Sequence, residues 1–156
     1  MTVMVPYDAS APARAALWRG RQLTTALDEP LLAVTVLPDD ADYARAKCWI
    51  EPEARFHPDV VATTLRQQVT NIAPTASYRC IRVDDVPDAD GVARAIRAHA
   101  LEVDATVLVV GCDKESSIAT PLTAVDPDAD RESWYDILIV RTAGTRERSC
   151  PPDSDG

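Results

Sequence analysis

The chain has 156 residues, a length that suits one domain with a sizeable core, and its 46% hydrophobic content is ordinary for a globular protein. No apolar run approaches the roughly 18 residues that span a bilayer, and no secretory signal pattern opens the chain, so we expect a cytoplasmic protein without a membrane partner. The 25 acidic and 16 basic residues give a net charge of −9. This balance argues against non-specific binding to nucleic acid, which needs a basic face.

The basic residues are almost all arginine, because Lys47 and Lys114 are the only lysines in the sequence. An acidic, lysine-poor surface is typical of proteins from salt-loving organisms. Molar salt shortens the Debye length to about 3 Å and so screens the repulsion between surface carboxylates. We therefore expect a halophilic protein, with an ordinary acidic protein as the alternative.

The four cysteines are scattered along the sequence: Cys48, Cys80, Cys112 and Cys150. Without a secretory signal or a C-x-x-C pair, they are expected to be reduced thiols, and no zinc site is predicted. The acidic segment 126–132 resembles a calcium loop, but Arg131 and Ile137 stand where the turn glycine and the bidentate glutamate are needed. The sequence therefore predicts no metal site.

The first half of the chain alternates strands and helices. Residues 2–6 form a short apolar strand, and Ser10 is a suitable N-cap for a helix of about four turns. Gly20 lies on the inner face of that helix and costs roughly 1 kcal/mol of helix propensity, which close packing on a sheet would offset. Residues 31–37 form a second apolar strand. An insertion at 39–58 is predicted to contain one short helix over 42–50, and Asp59 is predicted to cap the next helix.

The second half continues this alternation. Residues 77–83 form a strand, and Asp88 or Asp90 caps a helix on which His99 is predicted to face solvent. The apolar run 106–110 is a strand buried on both faces and ends at Gly111. Residues 116–134 are ambiguous because Pro121 and Pro127 interrupt them, residues 136–141 form a fifth strand, and residues 142–156 are expected to be a disordered tail.

Strands that alternate with helices give a parallel sheet with right-handed crossovers. The sequence therefore predicts one α/β domain over residues 1–141 with a five-stranded, doubly wound parallel sheet. Ligands of such folds bind outside the carboxyl ends of the strands. We expect any site around residues 111–125, with Asp8 at the end of the first strand.

Three segments, by their order and spacing, resemble the universal stress protein family over about residues 2–141. The opening strand ends in Val5-Pro6-Tyr7-Asp8-Ala9-Ser10, where the family has Asp-Gly-Ser, so that an alanine stands at the glycine. Residues 96–111 match a helix, an Ala-Asp turn and a strand that ends in glycine, and residues 137–141 match the last strand. The resemblance implies a three-layer α/β/α sandwich, Rossmann-like and adenine nucleotide α-hydrolase-like. It also implies a homodimer through the terminal strand, Ile137 to Val140.

The nucleotide-binding members of that family carry Gly-x-x-Gly, nine further residues, and then Gly-Ser or Gly-Thr. Here Gly111 aligns with the first glycine, but Lys114 stands at the second, and Ala124 and Val125 stand at the final pair. Phosphate-loop glycines permit a positive φ and a close approach of backbone N–H groups to phosphates, which a Cβ disfavours. We therefore expect no ATP cofactor and no enzymatic activity. The chain is interpreted as a dimeric regulatory module of the non-ATP-binding type with unidentified protein partners.

The alternative is a stress protein that binds ATP or AMP through an altered loop, with or without weak ATP hydrolysis. The resemblance then implies that Asp8 and Val36 lie beside the nucleoside, while Gly111 and Lys114 lie at the phosphates, the lysine acting as a point charge. A third possibility is another adenine-containing or small acidic ligand held by Asp8 and Gly111. Asp8 could equally serve only to lead into the helix cap at Ser10.

Catalysis is not indicated by the remaining reactive residues. His57 and His99 are the only histidines, and no Gly-x-Ser-x-Gly motif supports a nucleophilic triad. Cys112 follows Gly111 and could be a reactive thiol, but the neighbouring carboxylates of Asp113 and Glu115 work against its reactivity. A buried structural cysteine is the favoured interpretation.

Overall fold

A computed structural model describes residues 1–113, 118–123 and 135–142 of the chain. Within these residues strands and helices follow one another in this order: β1 Thr2–Pro6, α1 Ala11–Leu27, β2 Leu31–Pro38, α2 Ala41–Ala46, α3 Pro58–Ile72, β3 Ser77–Val83, α4 Ala89–Glu102, β4 Ala105–Cys112, α5 Ala119–Thr123 and β5 Asp136–Arg141. No helix in the described part of the chain is long and apolar enough to cross a membrane. The acidic segment 126–132 and the predicted tail beyond Thr142 lie outside the described residues.

The five strands form one sheet in the order β3-β2-β1-β4-β5, and every neighbouring pair is parallel. This confirms the predicted five-stranded parallel sheet. The chain builds the sheet outward from β1 in one direction and then from β4 in the other. The carboxyl ends of β1 and β4 therefore lie at the point where the strand order reverses, which is where open α/β sheets bind ligands.

The sheet is covered on both faces, which gives the three layers of an α/β/α sandwich. On one face α1 and α3 enclose a core that includes Leu17 and Leu65, and on the other face α4 and α5 enclose a core that includes Ile96 and Leu122. Strand β2 is buried at every position. The continuous apolar runs in the sequence follow from this arrangement, because a strand covered on both faces has no solvent-facing side.

Close packing of α1 on the sheet explains Gly20. A Cβ at this position would lie 2.9 Å from Val5 Cγ2 and 3.1 Å from Leu31 Cδ1. The glycine lets the helix approach the strands, and the packing that results offsets its poor helix propensity of about 1 kcal/mol.

The predicted helix starts are correct at α1 and α4 and wrong at α3, and the predicted end of α2 is too late. Ser10 caps α1 and Asp88 caps α4. The prediction that Asp59 caps α3 is wrong, because the helix already begins at Pro58, whose fixed φ suits the first helical position. Helix α2 is shorter than predicted, since the chain leaves it before Cys48, which has a left-handed φ of 57°.

The prediction that His99 faces solvent is wrong, because the residue is only 6% exposed. It lies three residues after the buried Ile96, and residues at that spacing share one side of a helix. Its Nδ1 lies 3.0 Å from Glu102 Oε2, while its Nε2 has no hydrogen-bond partner among the described residues. The ring therefore belongs to the flank of the core.

The prediction of four reduced thiols is wrong at Cys48, which is disulfide-bonded. Cys80 and Cys112 are free and half-buried, and Cys150 lies outside the described residues. A disulfide requires two Cβ atoms within about 4 Å of each other, which depends on the fold and not on the spacing of cysteines along the chain.

Candidate functional site

A cavity of about 420 Å³ lies at the carboxyl ends of β1, β2 and β4. The first turns of α1 and α4 border it, and so do residues of the segment that follows β2. Three of the four residues singled out in the sequence, Asp8, Val36 and Gly111, line this cavity. The fourth, Lys114, lies outside the described residues. The topology thus brings together positions that are up to 103 residues apart in the sequence.

Asp8 is engaged by groups of the chain itself. Its Oδ1 accepts a hydrogen bond from the backbone N–H of Ser10 at 3.0 Å, and its Oδ2 lies 3.1 Å from Lys47 Nζ. Its backbone carbonyl accepts a hydrogen bond from Trp49 Nε1–H at 2.8 Å. The segment after β2 therefore folds back onto the end of β1 and holds it through both the side chain and the backbone of one residue.

The charges of this pair stabilise each other. Burial alone would raise the pKa of Asp8, but the Lys47 ammonium and the hydrogen bonds from Ser10 outweigh it, so the pKa lies below its ordinary value of 3.8. Burial alone would lower the pKa of Lys47, but the Asp8 carboxylate raises it above the ordinary 10.5. Both groups are therefore charged throughout the neutral pH range.

Sequence reasoning missed Lys47 and did not assign Trp49 or Tyr43 to the site. The Tyr43 and Trp49 rings meet edge to face, with centroids 5.7 Å apart, and Lys47 Nζ lies 5.7 Å from the Tyr43 centroid. All three residues line the cavity. The sequence offers only a compositional signal, one of the two lysines and one of the three tryptophans of the chain in this segment, and that signal does not place them beside Asp8.

Strand β2 supplies a buried hydroxyl and an apolar side chain. Thr35 is 2% exposed, and its Oγ1–H donates to the carbonyl oxygen of Tyr7 at 2.6 Å, which joins β2 to the end of β1. Val36 is 6% exposed and packs with the core beneath α4. Any contact between the Val36 side chain and a ligand would therefore be apolar.

The packing of β4 against α1 accounts for Gly111. A Cβ at this position would lie 2.0 Å from the carbonyl oxygen of Pro12 and 2.2 Å from its carbonyl carbon. Gly111 does not have a positive φ, so left-handed backbone is not the reason for this glycine. The residue is needed because the end of β4 passes directly against the first turn of α1.

The left-handed turn between β1 and α1 is kept without a glycine. Ala9, which stands where the resembled family has glycine, has a φ of 66°. A Cβ in this conformation costs roughly 1–2 kcal/mol. The turn that leads into α1 therefore carries a cost in stability that a glycine at this position would not.

The two helix N-termini at the cavity are closed by side chains of their own. In α1 the N–H of Ala13 donates to Ser10 Oγ at 3.2 Å, and Pro12 has no N–H. In α4 the N–H of Gly91 donates to Asp88 Oδ1 at 2.7 Å. These are the positions at which a helix would otherwise bind a phosphate.

The described residues offer no cluster of three metal-ligating side chains. Cys112, half-buried at the cavity edge, has its Sγ 3.5 Å from the carbonyl oxygen of Asp113. The site is a half-open, partly apolar crevice in which the Asp8 carboxylate is already paired with the Lys47 ammonium.

Comparison with known proteins gives one family. A profile of the Universal stress protein family matches residues 1–141. A search among curated proteins found no match.

Solved structures with the same fold include several of that family. A universal stress protein from Archaeoglobus fulgidus in complex with dAMP has a TM-score of 0.58 at 15% identity, covering 89% of this chain and 96% of the other. A universal stress protein in complex with cAMP has a TM-score of 0.54 at 19% identity, covering 90% and 96%. A family member from Arabidopsis thaliana with AMP bound has a TM-score of 0.52 at 14% identity, covering 90% and 91%. At these identities the structures share the fold, and it is the match over residues 1–141 that shows that this chain belongs to the universal stress protein family.

Proposed function

We propose that this chain is a regulatory, non-enzymatic universal stress protein of the type that does not bind ATP through the glycine loop of the family. The observation that carries the proposal is the engagement of Asp8 by Lys47, Ser10 and Trp49, because it removes the retained polar group of the crevice from a nucleotide. The capped N-termini of α1 and α4 support it, since one first-turn N–H of each helix, that of Ala13 and that of Gly91, is already bonded to a capping side chain.

Isothermal titration calorimetry with Mg-ATP on the full chain tests this proposal. We expect no binding at millimolar nucleotide. Lys47→Met is a useful companion variant, because it frees Asp8 Oδ2 without changing the backbone of the crevice. Binding of Mg-ATP to the wild type with a Kd below about 100 μM would contradict the proposal.

We further propose a homodimer through β5. This strand lies at the edge of the sheet, and its Leu138 and Ile139 are 38% and 41% exposed. An open apolar edge invites pairing with a second strand, and a dimer would cover it. Static light scattering in molar KCl should give a dimer for the wild type and a monomer for Ile139→Arg. Val60→Arg, at a 60% exposed position on α3, is the matched control and should remain dimeric. A monomeric wild type would contradict the dimer.

A second candidate function is the binding of a nucleotide such as AMP or ATP, with or without slow hydrolysis. It is favoured by the cavity of about 420 Å³, a volume within the range of small-molecule sites, and by the AMP, dAMP and cAMP complexes of proteins with this fold. In this case Asp8 and Val36 would contact the nucleoside, and Gly111 and Lys114 would lie near the phosphate. Loss of nucleotide binding in Lys114→Ala would support it.

The acidic, lysine-poor composition supports a role in a salt-rich cytoplasm. In that setting the unfolding midpoint should rise as KCl is increased from about 0.1 M to the molar range, because salt screens the net charge of −9. A midpoint that is independent of KCl would contradict a halophilic origin.

A further inference from the structure

Helix α1 has a positive charge in an otherwise acidic protein. It contains Arg14, Arg19 and Arg21 and no acidic residue, whereas the whole chain has a net charge of −9. None of these three arginines forms an ion pair with a carboxylate of the described residues. The outer surface of α1 therefore presents guanidinium groups whose charge nothing in the described part of the chain neutralises.

An exposed aromatic ring lies among these arginines. Trp18 is 51% exposed, and Arg21 Cζ lies 5.2 Å from the centroid of its ring, a distance at which a guanidinium and an indole attract each other. Arg14, Trp18 and Arg21 follow one another at i, i+4 and i+7, so they share one side of the helix. We call these three residues the α1 stripe.

Neighbouring oxygens position both arginines of the α1 stripe. Arg21 Nη1 donates a hydrogen bond of 3.0 Å to the carbonyl oxygen of Ile72, the last residue of α3. Arg14 interacts with the side chain of Tyr7. Both oxygens are uncharged at neutral pH, so the guanidinium groups are held in place but keep their full charge. The one acidic residue of α3, Asp59, lies 3.7 Å from Arg82 instead.

The α1 stripe suits a short acidic peptide better than a nucleic acid. Single-stranded nucleic acids bind along a positive groove with several aromatic rings, and the stripe offers one ring that already contacts Arg21. A long polyanion would also reach beyond the Debye length of about 10 Å at 0.1 M salt, where it would meet the negative remainder of the chain. A peptide with a few carboxylates stays within the positive patch.

From these observations we propose that the α1 stripe is a docking site for an acidic segment of a partner protein, in which carboxylates flank an apolar or aromatic residue. The carboxylates pair with Arg14 and Arg21, and the apolar side chain packs against Trp18. Tryptophan and arginine are among the residues that most often dominate the binding energy of protein interfaces. The proposal rests on the regulatory role proposed above, and its residues do not line the crevice.

Fluorescence anisotropy of a fluorescein-labelled peptide, Gly-Asp-Glu-Leu-Phe-Glu-Asp-Gly, tests this proposal on the full chain. The matched peptide has Asn and Gln in place of Asp and Glu. At about 0.1 M KCl the acidic peptide should bind with a Kd on the order of 100 μM and at least about tenfold more tightly than the matched peptide. Raising KCl to about 1 M should weaken its binding, because the Debye length falls to about 3 Å.

Variants of the α1 stripe separate the contribution of the ring from that of the charge. Trp18→Ala should weaken binding of the acidic peptide about tenfold, and Arg14→Gln about threefold, which is the effect of one exposed ion pair. Both side chains are exposed, so the urea midpoints should stay close to that of the wild type. Arg94→Gln is the matched control, because it removes the same charge from an exposed position on α4, in the opposite layer, and should leave peptide binding unchanged.

Equal binding of the two peptides would overturn the proposal, since the attraction would then be apolar only. Two further results would do the same: an Arg94→Gln effect as large as that of Arg14→Gln, and tighter binding of a labelled oligothymidylate with the same net charge as the peptide. No binding of the acidic peptide at millimolar protein would also overturn it and would leave the proposal of a non-ATP-binding protein standing. Tight binding of Mg-ATP contradicts that second proposal without affecting peptide binding, so the two failures are distinguishable.

Discussion

Replacing Gly111 by alanine should destabilise the protein even when no ligand is present. The added Cβ would lie 2.0 Å from the Pro12 carbonyl oxygen, whereas such contacts essentially never fall below 3.0 Å, so the two backbones must separate by about 1 Å. Neither can move easily, because β4 is hydrogen-bonded on both sides and Pro12 lies in the capped first turn of α1. Overpacking of this kind costs about 3 kcal/mol. At this chain length the unfolding midpoint should fall by about 6–12 °C.

Differential scanning calorimetry of the ligand-free protein measures this effect. Gly20→Ala is the matched control, because its new Cβ meets the Val5 side chain at 2.9 Å and not backbone, and about 1 kcal/mol of helix propensity is gained. Its midpoint should fall clearly less than that of Gly111→Ala. If Gly111→Ala shifted the midpoint by less than about 1 °C, the packing explanation would be refuted and the glycine would have to serve a ligand alone.

Three further changes test the end of β1. Ala9→Gly should stabilise the protein by up to about 1 kcal/mol, because glycine removes the strain of a Cβ at a φ of 66°. Part of that gain is lost to the larger conformational entropy of glycine in the unfolded chain. A lower urea midpoint would contradict this expectation. Asp8→Asn should be less stable than the wild type at pH 7, and the difference should shrink as the pH falls below about 4. The reason is that a carboxylate with a lowered pKa stabilises the fold only while it is charged. A difference in stability that does not depend on pH would refute this role of the Asp8 charge. Trp49→Phe keeps a ring near Tyr43 but loses the hydrogen bond to Asp8, so urea unfolding should show a loss of about 1 kcal/mol, and an unchanged midpoint would count against that bond.

Most of the fold could be predicted because its signals are local. The apolar runs at 31–37 and 106–110 report strands covered on both faces, and the caps at Ser10 and Asp88 follow from short polar side chains before a helix. The predicted start of α3 is wrong because Pro58 and Asp59 are both residues that begin helices, and the proline sets φ directly. The burial of His99 was missed because a flank position is decided by what packs beside the helix.

The site was only half predictable. Asp8 and Gly111 could be placed because they end strands that the topology brings together. Lys47 and Trp49 could not, because they follow β2 in a segment with weak periodicity, and their contacts with Asp8 span 39 and 41 residues. The packing role of Gly111 could not be predicted either, because the residues around Gly111 in the sequence do not indicate that the end of β4 contacts the Pro12 carbonyl.

In the proposed function, the ion pair between Asp8 and Lys47 keeps the Asp8 carboxylate from a nucleotide. A double-mutant cycle with Asp8→Asn and Lys47→Met, followed by urea unfolding at pH 7 and low salt, measures it most directly. Both side chains are 36% exposed, so solvent screening limits the expected coupling to about 0.5–1 kcal/mol, and molar KCl should reduce it. A coupling free energy within error of zero would show that Lys47 does not hold the Asp8 side chain, and the Asp8 carboxylate would then be available to a nucleotide.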